Sequence, residues 1–199
     1  MKSRVEGMPD YLNTEDKESF TNFASKYQEP KFVEFINDLA YLEFKVEINP
    51  KKTEDKYDHD LLINGYKGDL KTQHTPFYRA KDFYNLDPQW AITYNHKDYV
   101  RYKNNYTNKN LPFYIIFDVI RKNEFNQKYE IRTDAMRAIF MCDVRKLENL
   151  IETNQIPLHS YVNRQDDNKG NAKSSYVFDV RHLRMIYYEG RSLKLPIFQ

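Results

Sequence analysis

The spacing of apolar residues changes several times along the chain, and each change marks an element. Phe20, Phe23, Ala24 and Tyr27 fall at helical spacing and predict a helix over 15–27, with Thr14 as N-cap and Glu15 and Asp16 in its first turn. Pro30 opens a second predicted helix, 30–40, with Phe32, Phe35, Ile36 and Leu39 on one stripe. The period then drops to two: Leu42, Phe44, Val46 and Ile48 alternate with Glu43, Lys45 and Glu47, which predicts a strand ended by Pro50. The charged stretch 51–56 reads as a solvated loop. Residues 75–110 are poorly periodic and rich in Tyr, Asn and Lys; they read as a short helix or an extended excursion. The apolar run 111–120 predicts a buried strand, 123–127 a turn, 128–133 a short strand and 137–142 another strand. Val144, Leu147, Leu150 and Ile151 predict a helix over 144–152, capped by Asp143. A polar loop at 165–174 and a core strand at 176–180 follow. Asp143-Val144-Arg145 and Asp179-Val180-Arg181 echo each other, and each reads as a strand ending in an Asp-capped turn or helix. The mixture predicts an α/β (α+β) fold, one central mixed sheet flanked by helices, in a single domain over 1–199.

Composition narrows the partners. The formal charge of +2 excludes a globally basic surface, so any nucleic-acid affinity must come from uneven charge placement. The single cysteine, Cys142, follows an apolar run and reads as a core residue, not a disulfide or zinc ligand. Five glycines and no glycine-rich phosphate loop argue against a nucleotide cofactor. No apolar run long enough for a membrane span and no signal-peptide pattern are evident, which makes the cytoplasm the expected location.

Candidate chemistry concentrates in 57–73. Asn64-Gly65 is a strong hairpin signal, because both residues tolerate the positive φ of a type I′ turn. If they form the loop, Asp60 faces Asp69 and Asp58 faces Lys71. Strand alternation then puts Asp58, Asp60, Asp69, Lys71 and Gln73 on one face, with Leu61, Ile63 and Leu70 toward a core. Opposed carboxylates with Cβ atoms about 4.5–5.5 Å apart repel each other, and a magnesium ion between them would relieve that. The bland reading is the polar outer face of a hairpin. Acid-x-Lys triplets also begin at Glu15, Glu29, Glu43 and Glu54; only that of Asp69 lies on a predicted strand after a turn, with a second Asp opposite.

Asp60, Asp69 and Lys71 in this arrangement resemble the active-site hairpin of the PD-(D/E)xK nuclease superfamily, over residues 31–73. The resemblance implies a restriction-endonuclease-like core and Mg2+-dependent hydrolysis of phosphodiester bonds in DNA, with Mn2+ as an alternative ion. Asp60 and Asp69 would bind the metal, and Lys71 would orient the attacking water. It extends to Gln73 as a glutamine after the lysine and to Glu34 as a helical acid. His59 stands where the motif has proline. Many restriction enzymes of this type are homodimers. The alternatives are a non-catalytic DNA-binding or assembly protein that retains the fold, and RNA as substrate.

Further candidates lie nearby. Asp58 joins the site through the register, and His74 follows the strand. His59 should point away from Asp60 as a structural residue. Arg79 and Lys81 lie close after the site, and 94–109 interleaves Lys97, Arg101 and Lys103 with tyrosines, as suits phosphate contact with stacking. A solvated surface segment explains the same pattern.

Overall fold

The structure, a computed structural model, describes residues 27–55, 58–162 and 172–190. The helix expected over 15–27 lies outside them apart from Tyr27, and so does most of the loop expected over 165–174. The described residues fall into two compact units, one within Met1–Lys67 and Ser160–Lys173, the other within Gly68–His159 and Ser174–Gln199.

In the first unit, Pro30 lies in the first turn of helix α1 (Glu29–Asn37), where its missing N–H removes no helical bond. Phe32 and Ile36, four residues apart, are its buried apolar stripe. The helix stops short of the expected residue 40. Asn37 instead turns its amide onto strand β1 (Val46–Ile48), giving Nδ2 to the Val46 carbonyl at 2.7 Å and accepting the Val46 N–H at 3.0 Å. β1 is correspondingly shorter than the alternation over 42–48 predicts. It pairs antiparallel with β2 (Leu61–Ile63), Val46 opposite Ile63 and Ile48 opposite Leu61. Asn64 (φ 49°) and Gly65 (φ 83°) make the turn with the expected positive φ values. The Asn64 side chain also accepts the Lys45 N–H at 2.8 Å, so the turn residue grips the neighbouring chain. The stretch 51–56 departs from the solvated loop expected. Pro50–Thr53 forms a short 3-10 helix capped by Asn49, whose Oδ1 accepts the Lys51 N–H, and this turn buries Lys52.

The second unit carries a mixed sheet. β3 (Tyr66–Gln73) begins in the first unit and continues here from Gly68. It runs parallel to β5 (Tyr114–Arg121), with Lys71 beside Phe117. Parallel neighbours need a crossover, and this one contains α2 (Ala80–Tyr84), β4 (Ala91–Asn95) and α3 (His96–Asn105). The segment 75–110 is therefore largely structured. β6 (Glu124–Asn126) and β7 (Ile131–Thr133) form a hairpin. The turn expected at 123–127 thus falls later, after Asn126, whose Oδ1 accepts the Lys128 N–H. β8 (Met136–Asp143) pairs antiparallel with β5, and β11 (Arg184–Gly190) antiparallel with β8. β11 shows no clean alternation because a bulge interrupts its register between Met185 and Tyr187. A second sheet has the order β4-β10-β9, with β9 at Leu158–Ser160 and β10 at Ser174–Asp179.

Between these layers lies an aromatic core. Phe117 meets Phe178 and Tyr94 edge-on, while Tyr102 of α3 and Tyr106, which caps its end, pack on Phe113 at centroid distances of 4.4 and 4.3 Å. Helix α4 (Val144–Glu152) adds Val144, Leu147 and Ile151 from its apolar stripe. Asp143 caps it as expected, accepting the Arg145 N–H at 2.9 Å. Cys142 is buried in this core, as expected, and burial pushes its thiol pKa up. The fold is mixed α/β, a central mixed sheet flanked by helices. Among the described residues no helix is long and apolar enough to cross a membrane.

Candidate functional site

In the second unit, Asp69 and Lys71 lie two apart on β3 and share a face. That face differs from the open polar surface the hairpin pattern implies. Asp69 is buried, at 6% exposure, whereas Leu70 is only half-buried. Asp69 lies beside α3, whose Tyr102 donates its hydroxyl to Asp69 Oδ2 at 2.7 Å. Asp98, one helical turn before Tyr102, shares its helix face. Lys71 Nζ sits between the two acids, 2.5 Å from Asp69 Oδ2 and 2.7 Å from Asp98 Oδ2, with its charge 5.9 Å from the Tyr102 ring centroid. Burial and Asp69 hold the Tyr102 phenol well above its usual pKa, so it stays a neutral donor. Tyr94, from β4, brings a second buried phenol under the influence of Asp98, Lys71 and Asp69.

Two carboxylates around one ammonium leave one net negative charge. Such a group can take a cation at its acids or present Lys71 to an anion, provided Lys71 can swing between the two tasks. Asp98 was not evident from sequence, and Tyr102 stood out only as one of the tyrosines interleaved with basic residues over 94–109. A signal was present: Asp98 and Tyr102, with Tyr99 and Tyr106, sit at three- and four-residue spacings, but the helical stripe is made of tyrosines amid Lys and Asn.

The first unit holds a separate cluster. Lys52 Nζ is paired with Glu29 Oε1 at 2.5 Å and with Asp60 Oδ1. Burial of Lys52 works against its charge, but Asp60 and Glu29 outweigh it and raise its pKa. The helical acid joined to Asp60 is thus Glu29; Glu34 lies exposed on α1. Asp58 is held by Lys67, with contacts of 2.9 and 3.2 Å, and by the His59 N–H at 2.7 Å. Some burial opposes its ionisation, yet these bonds lower its pKa to about 2. Asp58 and Lys71, expected to face each other, pair elsewhere: Asp58 takes Lys67, and Lys71 takes Asp69 and Asp98. His59 is buried, and its carbonyl accepts Asn49 Nδ2 at 2.8 Å, in keeping with a structural part.

Other expected residues take varied places. Gln73 extends β3 sideways, donating Nε2 to the Thr93 carbonyl at 2.5 Å and accepting the Thr93 N–H at 3.2 Å. His74, Arg79, Lys81, Lys97 and Arg101 are exposed. Arg79 lies 4.0 Å above the Phe83 ring, and Arg101 lies near that of Tyr102. Lys103 is engaged by Glu152 and by the Tyr99 hydroxyl. Among the described residues no three of His, Cys, Asp and Glu gather as a metal-ligating group.

No protein-family model matches the chain. No curated protein matches it significantly. Among solved structures, D212, a nuclease from a fusselovirus, aligns over 88% of this chain and 83% of its own at 13% identity, with a TM-score of 0.35. A likeness of that size carries neither fold nor function across.

Proposed function

We propose that the protein is a metal-dependent nuclease that hydrolyses phosphodiester bonds in DNA, a restriction-type endonuclease of the PD-(D/E)xK kind. The observation that carries this reading is the Lys71 ammonium of β3 shared between the buried Asp69 carboxylate of the same strand and Asp98 of α3. The acid-x-Lys spacing on β3 matches the motif, and the environment is what the chemistry needs: a desolvated carboxylate, a partly exposed cationic side chain and neutral phenol donors in one place. Two carboxylates fit magnesium, which keeps several waters and takes only one or two protein acids. Asp69 and Asp98 would hold such an ion. When bound, the ion would supply Lewis-acid activation of a phosphodiester and of water. Lys71, released from the acids, would orient that water and balance charge on the phosphate. Exposed Arg79, Lys81, Lys97 and Arg101 are proposed contacts to the nucleic-acid backbone.

The experiment is incubation of plasmid and linear DNA with magnesium or manganese, comparing the native protein with Lys71→Ala. Cleavage by the native protein and a loss of about 100-fold or more in the variant, with the fold intact, are expected. Undiminished cleavage by Lys71→Ala would sink the assignment. A second reading is a DNA-binding protein without turnover, in which Lys71, held by Asp69 and Asp98, serves only as a charge. It expects salt-sensitive DNA binding, no cleavage, and no magnesium-dependent gain in melting temperature that Asp69→Asn removes.

A further inference from the structure

Tyr94 and Tyr102 are both buried, at 1% exposure, and both come under the field of Asp69 and Asp98. They differ in one respect. The Tyr102 hydroxyl donates to Asp69 at 2.7 Å, whereas the Tyr94 hydroxyl has no hydrogen-bond partner among the described residues. A buried hydroxyl without a partner is a cost to the folded state. Phenylalanine would avoid that cost and keep the same ring packing, edge-on to Phe117 and in register with Tyr176 on β10. The ring alone therefore does not account for a tyrosine here. Lys71 stands beside Phe117 on the neighbouring strand pair, so Phe117 is flanked by both Lys71 and Tyr94. Besides burial and the core thiol of Cys142, the groups acting on the Tyr94 hydroxyl are Asp98, Lys71 and Asp69 of the candidate site.

We infer that the Tyr94 hydroxyl is a ligand-facing residue, which donates its hydrogen bond to a phosphate oxygen held at the Asp69–Lys71–Asp98 cluster. This rests on the phosphodiesterase reading and adds a residue to it. Lys71 would meet the phosphate as a point charge, while the phenol fixes the direction of one oxygen. Tyr102, already committed to Asp69, would keep that carboxylate in place.

The test is Tyr94→Phe in the full chain, with melting temperature, cleavage rate and thermal shift with inorganic phosphate measured on each protein. The expected result is a melting temperature equal to or above that of the native protein, with cleavage reduced at least 10-fold. Native-level cleavage in the variant would overturn the inference and leave the nuclease assignment standing. A lower melting temperature would overturn it as well, because the hydroxyl would then be a structural group. If the native protein cleaves nothing, the nuclease assignment falls, and the phosphate shift decides for Tyr94. A native gain in melting temperature that Tyr94→Phe loses supports the contact; an equal gain in both, or none in either, refutes it.

Discussion

Among the described residues Lys52 and Lys71 each lie between two acids, and the two differ in how tightly the lysine is enclosed. Lys52 is almost fully buried, at 7% side-chain exposure, between Glu29 and Asp60. Lys71 keeps 25%, between Asp69 and Asp98. A buried lysine with two acids is a structural rivet, since removing it would leave carboxylates unpaired out of water. A lysine with a quarter of its side chain in solvent can leave one acid for another anion. Asp58 gives a prediction that concerns acid stability. Its folded pKa lies near 2, below its ordinary value, so the pair with Lys67 stabilises the fold above pH 4 and is lost as pH falls through 2. Partial solvent screening limits this to about 1 kcal/mol. Denaturant titrations should therefore separate the native protein from Asp58→Asn at pH 6 and bring the two together near pH 2; a gap that persists at pH 2 would contradict the assignment.

At the scale of elements, the echo of Asp-Val-Arg proves to be two uses of one device. Asp143 ends β8 and caps α4; Asp179 ends β10 and caps the 3-10 turn Val180–His182, accepting the Arg181 N–H at 2.9 Å. In both, the arginine two residues on folds back onto the same carboxylate. Replacing Asp143 by Ala should cost about 1 kcal/mol in unfolding free energy, the usual worth of an N-cap. A change below a few tenths would mean that the cap is redundant. These caps, the Asn64-Gly65 turn and the apolar run of β5 were legible because local chemistry dictates them. α3 was not: its stripe is aromatic and half polar, and its helicity follows from packing on Phe113. β11 was missed because its bulge breaks the alternation that a strand is recognised by.

At the scale of the molecule, Arg121 shows how the second unit is closed. It is buried at the end of β5 and donates to the carbonyls of Gln73 at 2.7 Å, Ala91 at 3.3 Å and Gln89 at 3.3 Å. It thereby joins the end of β3 to the start of β4. Burial lowers its pKa to about 10 despite the nearby Tyr78 phenol, still far above neutrality, so it is a buried cation solvated by backbone. Arg121→Met should destabilise the unit by about 3 kcal/mol, through carbonyls left without donors, and calorimetry would register the loss. A change of a few tenths would mean that water replaces the guanidinium.

The same division runs through the candidate site. Sequence by itself determined the turn, the acid-x-Lys spacing, the capped helix ends and the mixed α/β class, because each depends on neighbours a few residues apart. Tertiary structure alone decided that Asp69 is buried, that Asp98 and Tyr102 share Lys71 and Asp69 with β3, and that Lys52 holds Asp60. Those contacts join residues 8 to 33 positions apart, and which ones form depends on how α3 and the Pro50–Thr53 turn pack, information that no local pattern contains.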